Sequence, residues 1–118
     1  MILQKLNEIG VDGNSLLERL IGNKDLIDIL FQKFINDQNF NNLTQAIKKK
    51  DVKEIYNASH NLKGLCSNLS ITKLSFLFSK QVDFIKNDHI NEAIEMMPSI
   101  CDEYYLTINN LKNYLNEK

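Results

Sequence analysis

Apolar residues recur three and four positions apart along nearly the whole chain, and strict alternation never persists beyond a few residues. That pattern predicts helices and leaves no segment that reads as a strand. Asp12-Gly13-Asn14 offers a turn and an N-cap before a short amphipathic helix over 15–21, which Gly22-Asn23 closes. A second helix is expected over 24–37, its apolar set (Leu26, Ile27, Ile29, Leu30, Phe31, Phe34, Ile35) dense enough to be mostly buried. The polar cluster 36–42 predicts a bend, with Phe40 as the residue able to carry helix through it.

Leu43, Ala46 and Ile47 give a third helix ending in lysines. Asp51 is placed to cap a fourth, with Val52, Ile55, Tyr56, Ser59, Leu62, Cys66 and Leu69 at helical spacing. Thr72 is placed to cap a fifth, with Leu74, Leu77, Phe78, Gln81 and Ile85 on one side. The last helix is expected over 91–115, with Pro98 kinking or dividing it because proline lacks the backbone donor and clashes with the preceding turn. Short connections favour antiparallel neighbours. The fold expected is all-α: an antiparallel up-and-down four-helix bundle with additional short N-terminal helices, one domain over 1–118.

Composition agrees with this reading and narrows the function. The 118 residues are 43% hydrophobic and 25% charged, the balance of an ordinary globular domain. Four Gly and one Pro are too few for the turns of a small β-sandwich or barrel. The net charge of -1 argues against a nucleic-acid partner, and Lys48, Lys49, Lys50 and Lys53 read as the polar end of a helix with no aromatic platform beside them. The two cysteines, Cys66 and Cys101, match no metal or redox spacing and sit in apolar-periodic segments, so no metal or cofactor is expected and a reduced, cytoplasmic setting is the simplest account. Residues 1–9 intersperse Gln4, Lys5, Asn7 and Glu8 among apolar ones and do not read as a signal peptide; no apolar run approaches membrane-spanning length.

Chemistry concentrates in Ser59-His60-Asn61-Leu62-Lys63-Gly64-Leu65-Cys66-Ser67. At about 100° per residue, Val52, Ile55, Leu62, Cys66 and Leu69 fall on the core side of this helix. His60 falls on the polar flank with Lys53, Asn57, Gly64 and Ser67. Gly64 sits one turn beyond His60 on the same face, at a mid-helix position where glycine costs roughly 1 kcal/mol against alanine. Its missing side chain leaves room beside the imidazole, and Lys63 can bring an ammonium to an anion held there. The plain alternative is a solvated surface histidine and a glycine that permits close helix packing. His89 lacks a following Lys-Gly and reads as surface.

His60-Asn61-Leu62-Lys63-Gly64 resembles the H-x-L-K-G signature of the histidine-containing phosphotransfer domain family, and Ser67, Leu69 and Ile71 follow its continuation. Upstream, Gly13 to Leu20, Asn23-Lys24-Asp25, Leu30 to Phe34 and Asp51 resemble the family's earlier helices and turns, so the similarity covers nearly the whole chain. Two positions depart. Ser70 stands where the family usually has Gly, so the turn after the histidine helix is expected to be built differently. Val82 aligns with a position where members often place Gln or Glu facing the histidine; Gln81 is the nearest candidate for that contact.

The resemblance implies a passive phosphocarrier, not an enzyme, and no Gly-rich nucleotide loop is present in the sequence. It implies a phosphorelay in which His60 accepts a phosphoryl group from a response-regulator receiver aspartate and passes it to another receiver. The receiver supplies Mg²⁺ and most catalytic groups, and a hybrid sensor kinase stands upstream. In this reading Lys63 offsets the phosphoryl charge, Gly64 permits approach, Gln81 and Ser67 are candidate supports, and Lys53, Asn57 and Phe76 are candidates for the docking surface. A monomer is expected, free-standing rather than excised from a kinase. The competing readings are a helical adaptor that binds a receiver or kinase without carrying phosphate, and a hydrolase using His60 as base. The hydrolase lacks a Ser, Cys or carboxylate three or four residues from His60 on its helix face.

Overall fold

A computed structural model describes residues 2–116; Met1, Glu117 and Lys118, which the single-domain reading includes, lie outside the described residues. The described residues form eight helices: α1 (Ile2–Glu8), α2 (Gly13–Arg19), α3 (Lys24–Ile35), α4 (Asn39–Lys49), α5 (Val52–Asn68), α6 (Thr72–Lys86), α7 (Ile90–Glu95) and α8 (Met97–Asn116). The protein is all-helical. Among the described residues the one extended pairing is an isolated bridge between Val11 and Ile71. The molecule is elongated, 43 × 23 × 19 Å. None of the described helices is long and apolar enough to cross a membrane.

Side-chain caps start α2 and α5 where the sequence placed them, and α3 gains one from Asn23, read in the sequence only as closing the preceding helix. The Asp12, Asn23 and Asp51 side chains accept from the backbone N–H groups of Ser15, Leu26 and Glu54 at 3.1, 3.1 and 3.2 Å. Thr72 does not cap α6: the N-cap is Ile71, which offers no side-chain acceptor, and Thr72 is already helical. Helix α4 begins at Asn39, so the expected bend is shorter than 36–42. Phe40 draws the chain into helix because its buried ring stacks on Tyr104 of α8 at 3.7 Å and 6°.

The helix ends explain how so few glycines suffice. Helices α2, α5 and α6 each close with the paired backbone bonds of a Schellman motif, and the residue in the left-handed conformation is Ile21, Ser70 or Asp88. Helix α2 therefore stops at Arg19 and Ile21 lies outside it, while α3 stops at Ile35, two residues before the expected end. Ser70, at φ 57°, holds the backbone conformation that a glycine favours, so the turn after α5 has a glycine-type geometry with serine in it. The last helix is divided as Pro98 requires: α7 ends at Glu95, and Pro98 sits in the first turn of α8, where a missing donor is tolerated.

Helix α5 packs against α4 on one side and α6 on the other, and α8 lies against α3, α6 and α7. Phe31, Phe78, Ile55, Leu62, Leu74, Ile100 and Leu111 are fully buried between them. Val52, expected in the core, is 46% exposed, and Lys53 and Glu54 after it are exposed too; the buried face of α5 starts at Ile55 and continues with Ala58, Ser59, Leu62 and Cys66.

The core makes stability sensitive to alkali. Burial is the main cause that pushes the Cys66 thiol up from 9.0 to about 12, and burial followed by the Asp37 carboxylate pushes the Tyr104 phenol up from 10.0 to about 12. Both groups are neutral in the fold and ionise more readily when unfolded. Their contribution is fully present below pH 9 and is lost as pH rises toward 12. Each disfavours the fold by about 1.4 kcal/mol per pH unit within its window. The urea midpoint should hold between pH 7 and 8.5 and fall steeply by pH 11; a flat profile would contradict the burial of these groups.

Candidate functional site

The candidate site is the outer face of α5. Its 17-residue length and Asp51 cap make α5 a rigid strut held from two sides, and His60 lies near its middle. His60, Lys53, Asn57, Gly64 and Ser67 are all exposed, and Lys63 is half-buried. The core face of the same helix carries Ala58, Ser59 and Leu62, so the residues flanking His60 anchor the backbone while the imidazole stays outside.

Gly64 differs from the other glycines. Gly10 and Gly22 occupy positive-φ turns, and a methyl on Gly13 would come within 2.6 Å of Leu3. A methyl on Gly64 would meet nothing within 4 Å, the His60 ring included. Neither backbone conformation nor contact within the molecule calls for glycine there, so the helix-packing explanation does not apply. Lys63 makes no ion pair with the described residues, which leaves its ammonium available to an incoming anion.

Gln81 and Val82 do not face His60. Both are fully buried. Gln81 does reach the histidine helix, but one residue short of the imidazole: its Oε1 accepts from the Ser59 hydroxyl at 2.7 Å, and its Nε2 donates to the Ala93 carbonyl at 3.0 Å and approaches Met97 Sδ at 3.3 Å. One buried amide thus ties α5 to α6, α7 and α8 directly behind His60. The tie is strong because a buried polar group that loses its partner bears its full desolvation penalty. Ser59→Ala should destabilise the fold by about 1–3 kcal/mol. Combined with Gln81→Leu, it should cost at least about 0.5 kcal/mol less than the two single effects added. Additive effects in urea denaturation would refute the coupling.

Ser67 lies two turns beyond His60 on the same face, about 10 Å along the axis. Its hydroxyl is paired with that of Ser75 on α6 at 2.7 Å, and its carbonyl accepts from the Arg19 guanidinium at 2.7 Å. It shapes the surface and does not reach the imidazole. Around it opens a hollow of about 390 Å³ lined by Ser15, Arg19, Ser75, Phe76 and Ser79 as well. Phe76 stands at this hollow 65% exposed, across it from Ser15 and Arg19 of α2. Single exposed aromatics of this kind anchor interfaces when a partner covers them.

Two neighbours escaped the sequence reading. Tyr56, four residues before His60 and counted only as core, stacks on the imidazole with ring centroids 5.6 Å apart and planes 29° from parallel. The i,i+4 spacing was the available signal. Asn61 donates to Asn39 at 3.2 Å and ties α5 to the start of α4, which nothing in the sequence foretold. His89 pairs with Glu92 at 2.6 Å at the start of α7, a local contact away from this face. Comparison of the chain with protein-family models, curated proteins and solved structures returned no match.

Proposed function

We propose that this chain is a histidine phosphotransfer protein of a two-component phosphorelay, with His60 as the phosphoacceptor. The observation that carries the reading is Gly64: a mid-helix glycine one turn from an exposed imidazole, with no need for it inside the molecule. A helix gives up about 1 kcal/mol at such a position, and the clearance it leaves is what a second protein needs to bring a phosphorylated loop against the ring. The half-buried Lys63 beside it, which makes no ion pair with the described residues, and the resemblance of residues 60–64 to the family signature point the same way.

The chemistry asked of His60 is modest. The lone pair of its unprotonated ring nitrogen forms the N–P bond as the P–O bond to the donor aspartate breaks. That electron pair leaves on the aspartate carboxylate, and the proton on the other ring nitrogen stays in place. The reverse step hands the group to a second receiver. Transfer of this kind rests on positioning and charge stabilisation. The chain contributes a rigidly mounted nucleophile, the Lys63 charge and the Gly64 gap, and needs no nucleotide site of its own. Phe76, Asn57 and Lys53 form the docking surface around it.

In this proposal α4, α5, α6 and α8 are the up-and-down bundle, with α1 and α2 as N-terminal additions. The packing of α5 between α4 and α6, and of α6 on α8, supports that arrangement. The protein acts as a cytoplasmic monomer between a hybrid kinase and receiver domains; its two unbridged thiols fit such a setting. Incubation with a phosphorylated receiver tests the reading: an alkali-stable, acid-labile label on the chain supports it. Binding without label would favour an adaptor instead.

A further inference from the structure

We propose that Tyr56 is the positioning residue for the His60 imidazole, holding the ring by its face so that both edge nitrogens stay free; this rests on the phosphocarrier reading above. A reactive histidine is usually oriented by a hydrogen bond to one ring nitrogen. Here the imidazole makes no hydrogen bond to any described residue, and its ring contact is Tyr56, 5.6 Å away and tilted by 29°. That is the offset-stacked geometry aromatic pairs prefer.

Helix geometry makes the support directional. Side chains lean toward the helix N-terminus, so residue 60 lies over residue 56 and away from residue 64. Tyr56 is itself half-buried and packed on the core, so its ring is a fixed backstop. The imidazole is therefore braced on its N-terminal side by Tyr56 and open on its C-terminal side over Gly64, where a methyl would meet nothing within 4 Å. The attacking lone pair lies in the ring plane. A partner stacked on the face limits rotation about the side-chain bonds without occupying that lone pair. A hydrogen-bond donor in the same role would block it, and an acceptor would commit the ring to one tautomer. The phenol hydroxyl has no part in this, so phenylalanine should serve as well.

Wild type, Tyr56→Phe and Tyr56→Leu distinguish this from a structural role. The ring-current displacement of the His60 carbon-bound protons in NMR spectra should persist in wild type and Tyr56→Phe and vanish in Tyr56→Leu. The rate constant for phosphoryl uptake at saturating phosphorylated receiver should fall about threefold to tenfold in Tyr56→Leu, with Tyr56→Phe at the wild-type rate. The receiver concentration giving half-maximal rate should not move in either. Wild-type rates in a folded Tyr56→Leu, or Tyr56→Phe as slow as Tyr56→Leu, would overturn the positioning role while leaving the carrier intact. A wild-type chain that takes no label overturns the carrier reading and this proposal with it, even where the proton shifts show the stacking.

Discussion

His60→Gln is expected to accept no phosphoryl group, with labelling down at least about a thousandfold, because the other hydroxyl on this face, Ser67, lies two turns away and is paired with Ser75. Glutamine keeps the length and polarity of the side chain, and the position is exposed, so the fold should change in stability by no more than about 0.5 kcal/mol. The two measurements belong together. Loss of label with an unshifted urea midpoint assigns the chemistry to the imidazole. His89 provides the internal control: it is an exposed histidine outside this face, engaged with Glu92. His89→Gln should transfer at the wild-type rate, and label retained by His60→Gln but lost with His89→Gln would move the site.

The second large effect is expected at Gly64, where stability and transfer should respond in opposite directions. An added methyl meets no atom within 4 Å, so Gly64→Ala should stabilise the helix by about 0.5–1 kcal/mol. Gly64→Gln should also leave the fold at least as stable, because the added atoms project into open space. Its side chain stands where a receiver loop must approach, so transfer should fall about tenfold to a hundredfold, the scale on which small misplacements of reacting groups act. A surface glycine with no role would give the gain in stability and no loss of transfer, so the glutamine variant separates the two accounts. Stability gained at the expense of activity marks a residue kept for function.

The helical frame was legible in the sequence because it depends on local signals: three-and-four periodicity, and acceptor side chains at Asp12 and Asp51 that the structure uses as caps. Pro98 divided the last helix for the reason the sequence supplies. Helix ends were less legible. Ile21, Ser70 and Asp88 adopt left-handed conformations that residue identity does not announce, and the Schellman closures that hold them come from the backbone. Ser70 is instructive: it stands where the family that the sequence resembles usually has glycine, which led to the expectation of a different turn, yet the turn keeps the geometry a glycine would favour.

At the site, the exposed flank of α5 followed from the helical wheel, because one face of a single helix is a local property. Partners across helices did not. Gln81 lies on the core stripe that its spacing predicts, but whether it meets His60 or Ser59 depends on the relative rotation of α5 and α6, which no spacing within either helix encodes. Val52 satisfied the periodicity and is nonetheless half exposed, since periodicity does not say where along a helix the neighbouring packing begins. Tyr56 lies four residues from His60 at a spacing that also suits the core, so its spacing alone does not tell a core aromatic from one that stacks on the imidazole.

The imidazole of His60 is the proposed acceptor, and locating the phosphoryl group tests that most directly. The intact chain is incubated with a phosphorylated receiver, digested under alkaline conditions, and the modified peptide is sequenced by mass spectrometry. The predicted result is a single phosphohistidine within residues 53–63, stable to alkali and lost on brief acid treatment. Label on any other residue, or none on the chain while the receiver loses its own, would contradict it.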